Sequence, residues 1–403
     1  MKILVICQYY YPENFQINSI CEQMVRDGND VFVVTGIPNY PTGIVPEGYR
    51  HKRIKYEEIR GVRVRRTFEI PRKNHMAGLA LNYLSYCISA SCWAGKNTER
   101  FDRIFIYQLS PVLMAYPGMI VKRKQKIPIL LYCCDLWPES MKTMIKNEHS
   151  FIFKWMTALS RKLYSSADHI AVQSKSFISY LNRVHNIDEK KLCYIPAFAN
   201  ESYLNMNLSA ENDCMDFVFL GNIGRAQDID TILEAVKKIK DEERFVMHFV
   251  GNGSCLQEAK KYVKSNALEH IVKFYGRRAA DEMPEFYRLA DVCVVTLKAD
   301  SAVGRTLPSK VQEYMAAGKP ILAALEGSAR EVILEARCGI CVPPGDPDAF
   351  ADAMRYFIRE KEGYEAYGAN GRMYFKNHFT KGNFMRLLYK QFEDLGDCGD
   401  ANI

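Results

Sequence analysis

Two stretches of this chain, about ninety residues apart, hold the side chains best suited to chemistry. The first, Gly221-Asn222-Ile223-Gly224-Arg225, follows the apolar run 217–220 and precedes a helical pattern over 229–239. Its glycines let a backbone approach a ligand closely, and the free N–H groups at a helix start favour an anion. In the second, Pro308-Ser309-Lys310-Val311-Gln312-Glu313, Pro308 suits a helix first turn and Ser309 and Lys310 sit at its positive end. Glu313 follows less than one turn later. Arg225, Lys310 and the free N–H groups suit a diphosphate, and Glu313 can accept from a vicinal diol such as a ribose. Taken one at a time, a glycine turn with a solvated Arg225 and a capped helix with a surface Lys310–Glu313 pair explain the same residues. The glycines do not follow G-x-G-x-x-G, so no nicotinamide site is implied.

The elements that must position these residues alternate along the chain. Short apolar runs at 3–7, 30–35, 103–107, 129–134, 169–172 and 192–195 are separated by helical patterns at 15–26, 76–94, 112–124, 151–164 and 174–182. That rhythm belongs to a parallel sheet wound by helices, with an excursion at 36–70 in which Arg60-Gly61 turns a hairpin. A polar stretch from Pro196 to Asp216 interrupts it, and a second series of strands follows near 217–220, 245–250, 271–274, 292–296, 320–323 and 339–342. With 403 residues, two domains are expected: 1–197 and 198–379, both α/β and doubly wound in the Rossmann manner, with a C-terminal helix over about 380–398 packing back on the first. Ligands of such sheets sit outside the carboxyl ends of the strands, and the cleft between the domains is the predicted site.

Composition narrows the class. At 48% hydrophobic and 25% charged residues the chain is globular. Residues 1–197 carry 28 Lys+Arg against 16 Asp+Glu, a net of +12, and the remainder carries 26 against 31. An anionic surface or acceptor should therefore meet the first half. The 13 cysteines have no regular spacing and read as reduced core thiols; Cys338-Gly339-Ile340-Cys341 stands without a second pair or a histidine cluster. The start, Met1-Lys2-Ile3-Leu4-Val5, reads as a first strand and not as a signal peptide. The segment from Met76 to Ala94 has no charged side chain, but Asn82 and three serines make an interfacial helix the better reading than a spanning one. Arg63, Arg65, Arg66, Arg72 and Lys73 upstream of it could face anionic lipid.

Two D-x-D triplets are explained by helix starts. Asp346-Pro347-Asp348 reads as an N-cap followed by a proline at the first helical position, and Asp228-Ile229-Asp230 likewise opens a helix. Asp168 and Asp291 close similar Ala-Asp dipeptides before strands and read as structural. No Gly-x-Ser-x-Gly or H-E-x-x-H occurs, which disfavours hydrolase classes.

The order and spacing of Gln8-Tyr9-Tyr10-Tyr11-Pro12-Glu13, Asp135-Leu136-Trp137-Pro138-Glu139-Ser140, the run from Ala167 to Ser174, Gly221 to Gln227, Val250-Gly251-Asn252-Gly253, Tyr275-Gly276, Ala290-Asp291-Val292 and Glu313 to Pro320 resemble the GT-B glycosyltransferases of family 4 over nearly the whole chain. The closest likeness is to bacterial capsule and O-antigen transferases of the L-fucosamine transferase type. The resemblance implies a retaining hexosyltransferase that uses a nucleoside-diphosphate sugar, a UDP-sugar first, without a metal or other cofactor. Candidate donor sugars include N-acetylated amino sugars such as FucNAc or GlcNAc. It implies Arg225 and Lys310 as diphosphate cations and Glu313 as the ribose carboxylate. Gly221, Asn222, Gly224 and Ser309 fall at the donor turns, Tyr275, Gly276 and Arg277 at the base, and Asp135 close to the transferred sugar as the catalytic-site polar group. The implied partners are a polyprenyl-diphosphate-linked glycan as acceptor and the inner face of the cell membrane, in peripheral contact from the cytoplasm. No nucleic acid partner is expected, and the oligomeric state is open. Where much of the family has a Glu eight residues before Glu313, this chain has Arg305, and Gln227-Asp228 stand where many members have a second phosphate-binding Lys. A nucleotide-sugar epimerase of the same fold and a catalytically silent partner subunit are the alternatives.

Overall fold

A strand covered by helices on both faces has no side to give to water, so its residues are apolar throughout. In the computed structural model, which describes residues 1–52, 54–73, 75–143, 149–208, 213–242, 244–299, 307–360 and 364–397, such runs form two sheets. The chain divides into two units, Met1–Ile195 with Met385–Ile403, and Pro196–Phe384.

The first unit holds β1 (Lys2–Ile6), β2 (Asp30–Thr35), β3 (Tyr56–Ile59), β4 (Val62–Arg66), β5 (Arg103–Gln108), β6 (Ile129–Cys133), β7 (His169–Val172) and β8 (Leu192–Tyr194), in the order β3-β4-β2-β1-β5-β6-β7-β8. Only the β3–β4 pair is antiparallel. Its two-residue turn is Arg60 (φ 51°) and Gly61 (φ 79°), both left-handed, which is the twist a tight hairpin needs. One core face is built from Leu4, Ile6, Val34, Ile104, Leu131 and Ile170 with Tyr86, Leu163 and Tyr164 of the covering helices. The helix Gln16–Arg26 buries Ile17, Ile20 and Met24, one stripe at helical spacing. From Met385 onward the chain is also part of this unit. There the Tyr389 hydroxyl donates to Asp27 at 2.8 Å and Phe392 packs edge-on to Phe105.

The second unit holds β9 (Met215–Leu220), β10 (Phe245–Val250), β11 (Val272–Gly276), β12 (Val292–Thr296), β13 (Ile321–Ala324) and β14 (Gly339–Val342), all parallel, in the order β11-β10-β9-β12-β13-β14. The winding direction reverses between β9 and β12, and in the first sheet between β1 and β5. These are the switch points at which parallel sheets open a crevice. Both units are Rossmann-like doubly wound α/β sheets, as the alternation of runs and helical patterns predicts.

Several local expectations take a different form. The 112–124 pattern splits into a 3-10 turn, Val112–Ala115, and the helix Tyr116–Gln125, because Pro117 lacks an N–H and suits a first turn. The Arg63, Arg65 and Arg66 cluster is not a free cationic patch. Arg63 pairs with Asp30 and Glu99 at 2.9 and 2.8 Å, Arg66 is buried against Glu57 at 2.6 Å, and Arg65 lies over the Tyr56 ring. Asp346 does cap its helix, accepting from Asp348 N and Ala349 N, and Asp228 accepts from the Thr231 hydroxyl. Asp168 and Asp291 each accept an N–H near the start of a neighbouring strand, from Ile129 and Asp216. Cys338 and Cys341 lie at β14, and burial pushes the Cys338 thiol up to about 12, far from a reactive thiolate. Among the described residues no helix is long and apolar enough to cross a membrane.

Candidate functional site

Parallel strands send all their carboxyl ends to one edge, so the loops after β9, β10 and β11 must meet there. They interlock through glycine. Gly221 (φ 134°) and Gly251 (φ 149°) occupy conformations that side chains rarely adopt, and a Cβ on Gly251 would stand 1.7 Å from the Gly221 carbonyl oxygen. Main-chain bonds lace the turns: Gly221 N to Val250 O at 2.9 Å, Ile223 N to Asn252 O at 2.9 Å and Gly251 N to Gly276 O at 2.8 Å. The result is a floor of main chain beneath a cavity of about 610 Å³ lined by Gly221, Asn222, Gly251, Asn252, Gly253, Arg277, Arg278 and Met283. Cavities of about 600 and 670 Å³ also open beside Lys122 and Asp168 in the first unit and beside Gly318 and Arg372 in the second. Size therefore does not single out a site. Those two lie by the residues that lead into β6, β7 and β13, at the amino edges of the sheets, away from the glycine turns.

Lys310 belongs to the first turn of the helix Ser309–Ala317, whose start has no side-chain cap. Its ammonium lies 4.2 Å from the Phe219 ring centroid and 3.1 Å from the point where a Cβ of Gly221 would stand. The missing side chain of Gly221 is what makes room for that cation. Burial pulls the Lys310 ammonium down from 10.5 to about 8, with Glu313 holding it partly up. One turn on, Glu313 accepts a hydrogen bond from the Tyr287 hydroxyl at 3.2 Å. Burial pushes its carboxyl above the usual range, while Tyr287 and Lys310 pull it back. The helix is locked to the sheet by Tyr314, whose hydroxyl accepts from Leu220 N and donates to Val294 O, both at 3.3 Å.

Arg225 is exposed at the start of a 3-10 turn and has no hydrogen bond or ion pair with a described residue. Asn222 donates to Gln227 at 3.0 Å beside the buried Gly224. Ser309 and Arg277 are exposed. Tyr275 turns its hydroxyl inward to His248 Nδ1 at 2.9 Å, and His248 Nε2 donates to the buried Asp216 at 2.8 Å. The Tyr275 carbonyl accepts from Arg278 Nε at 3.2 Å and the Gly276 carbonyl from Gly251 N at 2.8 Å. Arg305 lies outside the described residues.

Asp135 stands at the carboxyl end of β6 in the first unit. It accepts from the Ser110 hydroxyl, which is 3.0 Å from the Ser140 hydroxyl, and Gln108 donates to its main-chain oxygen at 3.0 Å. Burial pushes its carboxyl above the ordinary value, and both serines pull it back. A half-buried carboxylate with two hydroxyl neighbours can orient an incoming hydroxyl or accept its hydrogen bond.

Sequence reasoning passed over Phe219, Tyr287 and Ser110. Each reaches its partner across a gap of 25 to 91 residues, and no local pattern carries that. Gly251, Asn252 and Gly253 did have a signal, a second apolar strand ending in a glycine turn like that of Gly221.

The Glycosyl transferase 4-like domain family matches residues 14–197 and the Glycosyl transferases group 1 family matches 207–374. Among curated proteins, the chain is 27% identical over 298 residues to the probable glycosyltransferase WbjE of Pseudomonas aeruginosa, spanning 70% of this chain and 73% of that one. It is 23% identical over 377 residues to the putative colanic acid biosynthesis glycosyl transferase WcaI of Escherichia coli K12, spanning 88% and 91%. Among solved structures, sucrose-phosphate synthase of Thermosynechococcus elongatus superposes with a TM-score of 0.70 at 18% identity, over 98% of this chain and 99% of that one. Anabaena HepE in complex with UDP does so with a TM-score of 0.70 at 14% identity, over 98% and 100%. These structures share the GT-B arrangement of two Rossmann-like domains.

Proposed function

Because the chain is a glycosyltransferase, with a 4-like domain followed by a group 1 domain, we propose that it moves a sugar, with retention, from a nucleoside-diphosphate donor to a lipid-linked glycan in cell-surface polysaccharide assembly. The observation that carries the donor part is Lys310, a cation seated on Phe219 under the glycine turn of Gly221, one helical turn from the Tyr287-supported Glu313. A cation suited to a diphosphate and a carboxylate suited to a diol thus stand at one helix start, which supports this reading. The UDP and UDP-glucose complexes of HepE, a neighbour in fold, favour a UDP-sugar, and the names of WbjE and WcaI favour a polysaccharide product.

In this reading the bond between the anomeric carbon and the diphosphate breaks, and negative charge grows on the leaving oxygen. Lys310, Arg225 and the open N–H groups of the Ser309–Ala317 helix stabilise that charge as it forms. The acceptor oxygen attacks on the face the diphosphate leaves, and its proton passes to the departing diphosphate. We assign Asp135, held by Ser110 and Ser140, to orient the acceptor hydroxyl. The base is read by the main chain at Tyr275 to Arg277, with Gly221, Asn222, Gly224 and Ser309 against the phosphates.

The test is a panel of UDP-, GDP- and dTDP-sugars with a polyprenyl-diphosphate glycan, scored by nucleotide release and product mass. One donor should give acceptor-dependent release, and Lys310→Ala or Arg225→Ala should lower it by orders of magnitude with the fold intact. Release without acceptor would point to an epimerase or hydrolase instead. Wild-type rates in both variants would remove the diphosphate assignment.

A further inference from the structure

Several cations of the first unit are matched to carboxylates. Arg66 meets Glu57, Arg63 meets Asp30 and Glu99, and Lys122 meets Asp168 at 2.7 Å. Arg72 is different. It is half-buried, its Nη1 donates to the Tyr9 hydroxyl at 3.3 Å, its guanidinium lies 5.4 Å from the Tyr40 ring centroid, and no carboxylate among the described residues pairs with it. The Tyr83 hydroxyl also faces it, within electrostatic reach of Asp135.

The segment that carries Arg72 leaves the carboxyl end of β4 and is held by buried polar groups. Glu69 Oε1 accepts from Gln8 at 2.8 Å and from Asn82 at 2.5 Å. Asn82 donates to Ile70 O at 2.7 Å, Ser85 accepts from Ile70 N at 2.8 Å, and Asn39 accepts from Arg72 N at 2.9 Å. Gly43 closes against the Arg72 carbonyl so tightly that a Cβ there would stand 1.9 Å from it. Gln8, Asn39, Glu69 and Asn82 are each 1% exposed or less. Burying four polar side chains is expensive, and what this network holds in place is the backbone of Arg72 beside Tyr9 and Tyr40.

Immediately after Arg72 the helix Met76–Lys96 begins. Leu81, Leu84 and Ile88 are 52%, 46% and 63% exposed, at helical spacing, so they form one outward apolar stripe. The 21 residues of the helix include no Asp or Glu. From Met76 to Ile88 it rises about 18 Å, room for a hydrocarbon chain laid along it.

Resting on the reading of the chain as a transferase with a lipid-linked acceptor, we propose that Arg72 binds the phosphate of a lipid phosphate or diphosphate and that the Leu81, Leu84, Ile88 stripe receives the hydrocarbon of the same molecule. A guanidinium presents a planar fork that grips a terminal phosphate, and the Tyr83 hydroxyl stands beside it as a further donor. General attraction to an anionic bilayer is served by mobile, exposed lysines. A rigidly held, half-buried arginine suits one defined phosphate instead.

The test is co-sedimentation of the full chain with phosphatidylcholine vesicles, alone, with phosphatidylglycerol, or with polyprenyl diphosphate at matched charge. Polyprenyl diphosphate should raise association above the phosphatidylglycerol arm. Arg72→Gln and Arg72→Ala should each weaken that increment about tenfold or more, leaving the phosphatidylglycerol arm and the binding of free UDP unchanged. Leu84→Ser with Ile88→Ser should lower the lipid arm while inorganic diphosphate competes no better than before. Equal binding to both anionic vesicles, full competition by inorganic diphosphate, or wild-type association in both Arg72 variants would overturn the proposal. None of these readouts needs turnover. A donor panel without nucleotide release would therefore sink the transferase reading and leave this one to be decided by the vesicles.

Discussion

Lys310→Met should make the second unit more stable while removing its grip on a diphosphate. The lysine titrates ordinarily at 10.5 and here at about 8. At 1.36 kcal/mol per pH unit, holding it charged in the fold costs about 3 kcal/mol at most. Methionine matches its length and keeps contact with Phe219, and what is lost is the cation–π attraction at 4.2 Å, about 0.5–1 kcal/mol. The net gain is therefore about 2 kcal/mol at pH 7. The sign has a pH signature. A group whose folded pKa is depressed stabilises the fold above its unfolded value and loses that stabilisation as the pH falls through the folded value. The gap between Lys310→Met and the wild type is then largest below pH 8 and closes between 8 and 10.5. Urea unfolding at pH 7, 8.5 and 10 reads it, with calorimetry of UDP binding alongside. UDP affinity should fall by about ten- to a hundredfold at pH 7, the worth of a charge-assisted hydrogen bond. In the wild type it should weaken above pH 8 as the free ammonium is lost. A methionine variant less stable than the wild type at pH 7, or a stability gap that does not change with pH, would refute the account of this cation.

Two further outcomes follow from the same physics. Tyr287→Phe removes the 3.2 Å hydrogen bond that helps keep Glu313 ionised, so the acid limb of UDP affinity should move to higher pH, with a few-fold loss on that limb that fades as the pH rises beyond it; coincident profiles would exclude Glu313 from the ligand. Burial raises Glu69 from 4.5 to about 8, so the stability it contributes is complete below 4.5 and is lost as the pH rises through 8. Glu69→Gln, neutral throughout, should match the wild type in urea midpoint near pH 5 and exceed it at pH 9, and a lower midpoint at pH 9 would mean that the buried carboxylate is compensated by something else.

The sheets were legible because their central strands are apolar through most of their length, as in Ile129–Cys133 and Val292–Thr296, and because Arg60-Gly61 announces its hairpin. The Asp346 cap was legible for the same local reason. What the sequence could not show is contact at long range. Glu313 and Lys310 sit three residues apart on one helix, but Tyr287 and Phe219, which contact the pair, come from elsewhere in the chain. Gly221 shows the limit from the other side. A glycine after a strand suggests a turn near a ligand, yet its use here, clearing space for the Lys310 ammonium, depends on a helix that begins 88 residues later.

The charge asymmetry makes the same point about cations. A net of +12 over residues 1–197 counts charges without saying which are already neutralised, and the run Arg63, Arg65, Arg66 looks like the most cationic surface in the chain. Strand register decides otherwise. Arg63 lies opposite Phe32 in the β2–β4 pairing and reaches Asp30 at the start of β2, while Glu57 on β3 meets Arg66. These arginines serve the sheet edge. Arg72, just beyond the strand, has no such neighbour in register, and the buried amides around it secure its backbone without touching its charge. A cation fixed in position and left without a counter-ion has a binding energy in reserve, and an anionic ligand is what would use it.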